Sequence, residues 1–175
     1  MPFVPDDFHA PLELTTDRVA LEVLSPRHAA VDFRAIRVNE DRIRHVFGPN
    51  NGWPAADLSF EQNLADLARH QDEFKRRVAF AYAMLRPETG EYLGCVYIKP
   101  IKSKLERDFR KSAYQAQVFF WMAQSEAGPC AEQVLALLVR WLKSAWPFAA
   151  VAFPGRLQTW DEWDALAHGA TEIAP

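Results

Sequence analysis

The chain has 175 residues, of which 49% are hydrophobic and 25% charged, and its formal net charge is −3 at pH 7. This length and composition predict one folded domain with a sizeable core, and they exclude a disordered chain. The slightly acidic charge argues against a nucleic-acid partner, because phosphate binding needs a basic surface. No stretch approaches the ~20 apolar residues that span a membrane, and the first residues lack a signal-peptide pattern, so we expect a cytoplasmic protein without membrane contact.

The sequence lacks the familiar motifs of metal and hydrolase sites. Its two cysteines, Cys95 and Cys130, form no CxxC pattern and suit a reducing compartment. Histidines and cysteines show no metal-ligand spacing, so no metal site is predicted. There is also no P-loop and no G-x-S-x-G, which disfavours nucleotide hydrolysis and serine-hydrolase chemistry.

The chain begins with an arm and two short strands. Prolines at positions 2, 5 and 11 predict an extended arm over residues 1–11, ahead of a single domain that spans 12–175. Strand-like residues follow at 12–14 and 19–24, on either side of a Thr-Thr-Asp turn.

Two helices come next. Ser25 followed by Pro26 is typical of a helix start, and apolar residues then recur at helical spacing. Ser59 and Gln62 form a capping box ahead of a second apolar stripe. The predicted helices run from Ser25 towards Gly48, continuous or broken, and from Ser59 to near Arg76.

After the second helix, the spacing of the apolar residues changes from helical to that typical of strands. Residues 79–85 and 92–98 flank a Pro-Glu-Thr-Gly turn and predict a hairpin, in which Gly90 adopts a positive φ. Residues 113–122 read as a third strand with apolar side chains on both faces, so we expect it to be central and covered on both sides.

The last part of the chain alternates helix and strand. A helix is predicted from the apolar face formed by Val134, Leu137, Leu138, Trp141 and Ala145. A buried strand at 148–153 is stopped by Pro154 and Gly155, and a capping box of Thr159 and Glu162 begins a short helix that ends at Gly169.

This order of elements resembles that of the GNAT N-acetyltransferases. Residues 12–24 are similar to the L-x-T-x-R-L-x-L-R-x-L leader of the branch that acetylates protein N-termini, and residues 90–98 to the G-e-x-I-G-x-v-x-L segment of the family. The resemblance covers about 12–153. It implies an α/β (α+β) fold with a mixed, mostly antiparallel central sheet flanked by helices. Its C-terminal strands would be shortened or missing, because few residues follow Gly169.

The resemblance also implies a cofactor site. In the family the central strand ends in a loop, [RQ]-x-x-G-x-[GA], whose amides hold the pyrophosphate of acetyl-CoA at a helix N-terminus. Here the loop departs from the pattern: Pro129 removes an amide donor, while Glu126 and Glu132 add negative charge. The residues predicted to bind acetyl-CoA are Trp121, Met122, Ala123, Ala127, Gly128, Cys130 and Ala131.

The catalytic groups follow less directly from the pattern. Many relatives place a glutamate base on the central strand, where this chain has Gln117, whose amide cannot take a proton. We therefore predict His70 as base and Tyr97 as acid, against the simpler interpretations of a boundary histidine and a core tyrosine. Cys130 is an alternative nucleophile at a helix start, although Glu126 and Glu132 oppose its ionisation.

Two functions remain open at this point. The first is an acyl-CoA-dependent N-acyltransferase that acetylates a small-molecule or peptide amine. The second is an inactive GNAT-like domain that binds a ligand or a protein. The far edge of the sheet would be open, covered by the arm or completed in a homodimer.

Overall fold

A computed structural model of the protein describes residues 2–124 and 128–169. A 3-10 turn, Pro26–His28, leads into the first helix. None of the described helices has the length and apolar character needed to cross a membrane. The elements are β1 (Glu13–Thr15), β2 (Ala20–Val23), α1 (Ala29–Ile43), α2 (Phe60–Lys75), β3 (Phe80–Leu85), β4 (Tyr92–Lys99), α3 (Arg110–Ala113), β5 (Ala116–Met122), α4 (Ala131–Ala145), β6 (Val151–Ala152) and α5 (Trp160–Ala167).

The six strands form one mixed sheet in the order β1-β2-β3-β4-β5-β6. Neighbouring strands are antiparallel from β1 to β5, whereas β5 and β6 are parallel. The parallel pair is only two residues long, Ala116 with Val151 and Gln117 with Ala152. This is the mixed, mostly antiparallel sheet flanked by helices that the resemblance implies. The expectation of shortened or missing strands after Gly169 falls on residues outside the described part of the chain.

Helices cover both faces of the sheet. Along β5, Val118 and Phe120 pack in the core shared with α4, whereas Phe119 and Trp121 pack in the core shared with α1 and α2. Successive strand residues point to opposite faces, so an apolar residue at every position requires cover on both sides. The prediction that this strand is covered on both faces is confirmed, although β5 lies beside the edge strand β6 and not at the centre of the described sheet.

The N-terminal arm packs on the α4 face of the sheet. Phe3 contacts the rings of Phe80 and Phe148, at centroid distances of 5.9 and 5.2 Å. The hydroxyl of Tyr82 donates to the carbonyl of Pro11 at 2.6 Å. The arm thus covers part of the α4 face, while β1 and β6 form the two edges of the described sheet.

A buried carboxyl group ties α1 to its neighbours on the other face. Asp32 is 1% exposed and accepts hydrogen bonds from the Tyr92 hydroxyl at 2.6 Å and the Asn63 amide at 2.9 Å. Burial raises the pKa of Asp32, and these hydrogen bonds partly offset that rise. Since Asn63 lies on α2 and Tyr92 on β4, one side chain fixes three elements.

The predicted capping boxes and turn glycines are confirmed. The hydroxyls of Ser59 and Thr159 accept from the backbone N–H of Gln62 and Glu162, both at 3.2 Å. Gly90, in the hairpin turn, has a φ of +70°. The first helix ends earlier than predicted, at Ile43.

Two strand predictions need correction. Residues 113–115 do not extend β5, because a short helix occupies 110–113: Asp108 accepts from the Arg110 backbone N–H at 3.0 Å and starts a turn. The strand predicted at 148–153 pairs only at 151–152. There the N–H of Phe153 turns away from β5 and donates to the Gln158 side chain at 2.8 Å, and Pro154 has no N–H to offer.

Gly94 offers a test of the close contact between β4 and β5. Its φ is +134°, and a Cβ atom would lie 2.0 Å from the carbonyl oxygen of Trp121. We expect Gly94→Ala to lower the free energy of unfolding by about 3 kcal/mol or more, measured by denaturant titration. Gly52→Ala is the control: that Cβ would meet nothing within 4 Å, so the change should stay within about 0.5 kcal/mol. Equal effects of the two substitutions would contradict this packing.

Candidate functional site

The sheet opens where β5 and β6 part. Beyond Gln117 and Ala152 the two parallel strands no longer pair, so one edge of β5 is released over its C-terminal half. Ligands commonly bind beyond the carboxyl ends of parallel strands at such a divergence. A cavity of about 610 Å³, here the fork cavity, lies at this place, lined by residues 42–46, 119–124, 128–131 and 154–156 together with Trp160.

The structure brings together the residues predicted to bind the cofactor. Ala127 lies outside the described residues; the others all line the fork cavity, although they come from the end of β5 and the start of α4. They are Trp121, Met122, Ala123, Gly128, Cys130 and Ala131.

Three arginines that sequence reasoning missed also line the fork cavity. Arg42 and Arg44 lie at the end of α1, and Arg156 follows β6. The guanidinium of Arg156 lies 4.5 Å from the centre of the Phe120 ring. Arg44 is paired with Glu40 at 2.9 Å. Arg156 opposes the negative charge of Glu132. The Pro-Gly-Arg turn after β6 was the signal in the sequence that could have revealed Arg156.

The start of α4 supplies a reduced set of amide donors. Cys130 is the N-cap, and its own N–H donates to the Gln133 side chain at 3.1 Å. Pro129 has no N–H. The N–H of Ala131 bonds to no described acceptor, as is usual in the first turn of a helix, so it is free to bind an anion. The Cys130 thiol is exposed, and within the described part of the chain it makes no hydrogen bond to a histidine, although His45 also lines the fork cavity.

A second cavity of about 600 Å³, here the aromatic cavity, adjoins the first. Phe119 and Trp160 line both cavities, and their rings are nearly parallel, with centroids 6.3 Å apart. A hydrogen bond also crosses this boundary, from Trp121 Nε1 to the Tyr97 hydroxyl at 3.3 Å. Besides the two shared rings, the aromatic cavity is lined by residues that include Phe47, Trp53, Asp66, Arg69, His70, Tyr97, Lys99, Arg110, Gln117, Trp163 and Asp164.

His70 is a buried side chain of α2 that faces the aromatic cavity. Its Nδ1 lies 3.0 Å from Glu73 Oε2, while Nε2 makes no hydrogen bond to a described residue. Burial, with the nearby charges of Arg69 and Lys99, lowers the pKa of His70 to about 4, despite the opposing effect of Glu73. The ring is therefore neutral at physiological pH. It donates from Nδ1 to Glu73, which leaves the Nε2 lone pair for a ligand.

Tyr97 and Gln117 also reach the aromatic cavity. Burial raises the pKa of Tyr97 well above its usual value, so its hydroxyl stays protonated. The Tyr97 ring lies 5.3 Å from the His70 ring, between centroids. The side-chain amide of Gln117 donates to the Pro100 carbonyl at 3.1 Å. The structure thus places both predicted catalytic residues, His70 and Tyr97, at one cavity; sequence reasoning missed Glu73, three residues after His70 on the same helix face.

Comparison with solved structures identifies the fold. A protein from Bordetella pertussis assigned to the GNAT acetyltransferase family is 20% identical, with 77% of this chain and 74% of that chain covered and a TM-score of 0.53. The ribosomal-protein alanine acetyltransferase from Vibrio fischeri is 12% identical, with 77% and 69% covered and a TM-score of 0.55. The chain has the GNAT fold.

A further structure with the GNAT fold has a bound ligand. It is a ribosomal α-N-protein acetyltransferase in complex with coenzyme A, 15% identical, with 78% of this chain and 69% of that chain covered and a TM-score of 0.54. No protein-family model matches the sequence, and no curated protein matches it. The expectation of a GNAT fold, drawn from element order and two partial motifs, is confirmed at the level of architecture.

The depressed pKa of His70 predicts how stability depends on pH. An unfolded histidine binds a proton near pH 6.5, whereas folded His70 binds one only near pH 4. Stability is therefore lost as the pH falls below about 6.5. Between pH 7 and pH 5 we expect the wild type to lose about 2 kcal/mol more than His70→Gln. Denaturant titrations of both proteins at the two pH values measure this difference, and parallel losses would contradict the burial of a neutral His70.

Proposed function

We propose that the chain is an acyl-CoA-dependent N-acyltransferase that transfers acetyl from acetyl-CoA to an amine. The observation that carries this proposal is the meeting of two cavities of similar size at one shared wall, Phe119 and Trp160. Acyl transfer needs a donor and an acceptor that approach one point from two sides. The fork cavity corresponds to the donor side and the aromatic cavity to the acceptor side.

The residues of the fork cavity fit a coenzyme A ester. The unpaired edge of β5 after Gln117 offers backbone groups to an extended chain such as pantetheine. Arg42, Arg44 and Arg156 supply positive charge for phosphates, supported by the free N–H of Ala131. Acetyl-CoA, when bound, supplies the acetyl group as an activated thioester. A solved structure with the GNAT fold holds coenzyme A, which supports this assignment.

On the acceptor side, His70 and Glu73 form a base. Nε2 of the neutral imidazole takes the proton that the acceptor amine gives up, and Glu73, at 3.0 Å from Nδ1, stabilises the positive charge that develops on the ring. This pair replaces the glutamate that Gln117 cannot supply. Tyr97 stays protonated, and its hydroxyl accepts a hydrogen bond from Trp121 at the boundary of the two cavities. At this place the hydroxyl can donate a proton to the thiolate that leaves when the acetyl group is transferred.

Binding of acetyl-CoA tests the donor side directly. We expect calorimetric titration to give micromolar affinity, roughly −8 kcal/mol. Arg156→Gln should weaken binding about fivefold at low salt, and less at high salt, because one exposed charge contact to phosphate is lost. Arg140→Gln on the exposed face of α4 makes the same charge change outside the fork cavity and should leave the affinity unchanged. Absence of binding at millimolar acetyl-CoA would overturn the enzyme assignment and favour an inactive ligand-binding domain.

The proposed base has its own test. With an amine that accepts acetyl in a thiol-release assay, His70→Gln should lower kcat/KM by about 10²- to 10⁴-fold, without changing the affinity for acetyl-CoA. His9→Gln, in the exposed part of the N-terminal arm, is the matched control and should keep full activity. Full activity in His70→Gln would show that another group takes the proton.

A further inference from the structure

Lys99 is an unmatched cation in the wall of the aromatic cavity. It ends β4, and its Nζ lies 4.7 Å from the centre of the Phe47 ring and 5.0 Å from that of Tyr97. The ammonium group makes no hydrogen bond or ion pair with a described residue. Burial lowers the pKa of Lys99 to about 8. At pH 7 Lys99 is therefore still protonated in most of the molecules. Glu73 and Asp66 attract this ammonium only from beyond ion-pair distance, and both already pair with Arg69. A half-buried ammonium with three N–H donors and only ring faces in contact is therefore poorly compensated.

The other charged groups of the aromatic cavity are matched or lie at its rim. Arg69 is paired with Asp66 at 2.9 Å and with Glu73 at 3.1 Å. Arg110 is paired with Asp108 at 2.6 Å. Asp164 is exposed. Among the described residues that line the cavity, Lys99 is therefore the cation available to bind an anionic group of a ligand.

Lys99 and His70 lie beside the same ring. The Tyr97 ring is 5.3 Å from His70, between centroids, and 5.0 Å from Lys99 Nζ. The charge of Lys99 also acts directly on His70, so the two side chains are neighbours across the cavity. A ligand with an amino group at His70 and an anion at Lys99 would therefore carry the two groups close together, as an amino acid does. The remaining wall of Phe47, Trp53 and Trp160 is aromatic and suits a large apolar side chain.

We propose that the acceptor is a free amino acid with an aromatic or large aliphatic side chain, bound by its carboxylate to Lys99 and by its amino group to His70. This proposal rests on the acyl-transfer function of the same site. It separates the chain from enzymes that act on protein N-termini, because a peptide has an uncharged amide where a free amino acid has its carboxylate.

The test is calorimetric binding without acetyl-CoA, using three sets of probes. The first set is L-tryptophan, L-phenylalanine and L-leucine; the second is tryptamine, phenethylamine and isoamylamine, which lack the carboxylate; the third is L-tryptophanamide, which mimics a peptide N-terminus. We expect at least one amino acid to bind about 30-fold or more tightly than its matched amine, and L-tryptophanamide to bind no better than tryptamine.

Variants of Lys99 assign the effect to this side chain. Lys99→Met keeps the aliphatic stem and should abolish the preference for the amino acid, whereas Lys99→Arg keeps the charge and should retain part of it. Lys143→Met removes an exposed lysine of α4, on the other face of the sheet, and should change nothing. Near-ultraviolet circular dichroism checks that each variant keeps its aromatic packing.

The outcomes separate this proposal from the function on which it rests. Because binding is measured without acetyl-CoA, a preference for carboxylates that depends on Lys99 supports the amino-acid site even if no acetyl transfer is seen. Acetyl transfer to amines or tryptophanamide without that preference keeps the enzyme and overturns the amino-acid acceptor. Failure of all the amino acids to bind at 10 mM, or an unchanged preference in Lys99→Met, also overturns it.

Discussion

The separation of β5 from β6 is the constraint on which the site depends. Parallel pairing ends after two residues, because the N–H of Phe153 donates to the Gln158 side chain and Pro154 has no N–H. Had the pairing continued, β6 would fill the place where the fork cavity lies and would satisfy the edge of β5. A shortened strand is therefore what leaves an unpaired edge on β5, and this is the edge proposed to bind the ligand.

The wall between the two cavities is positioned by the N-terminal cap of α5 and by the glycine turn that precedes this helix. Thr159 caps α5 and so sets where Trp160, its first residue, lies. Gly155, with a φ of +75°, lets the chain pass close by, since a Cβ atom there would lie 2.9 Å from the indole. Trp160 can then stack on Phe119 of β5. A helix cap, a glycine and a strand covered on both faces together hold the point where the proposed donor and acceptor sides meet.

Much of this fold can be predicted from the sequence where the signal is local. The capping boxes at Ser59 and Thr159 and the hairpin at Gly90 depend on neighbouring residues, and they appear where predicted. The length of β6 could not be predicted in this way, because it is set by the Gln158 side chain, which competes with the ladder from five residues away. Propensity and periodicity do not record such a competition.

The same difference between local and distant signals applies to the candidate site. The proposed cofactor segment could be found by comparison with one family loop, but Arg42 and Arg44 line the same cavity from the end of α1, far away in sequence. His70 was recognisable as a titratable group, whereas its orientation by Glu73 needed only helical spacing and could have been predicted. Lys99 gave no signal in the sequence, because a lysine at a strand end is usually solvated. Only the three-dimensional arrangement shows that Lys99 contacts aromatic rings and that the nearest carboxylates, Glu73 and Asp66, are already paired with Arg69.

Backbone hydrogen exchange in the presence and absence of coenzyme A tests the central claim most directly. If the opening between β5 and β6 holds the cofactor, exchange should slow at 118–124, in the first turn of α4 and in the turn 154–160, and should stay unchanged in β1 and β2. Slower exchange elsewhere, or no change in these segments at millimolar coenzyme A, would contradict the assignment of the fork cavity as the donor site.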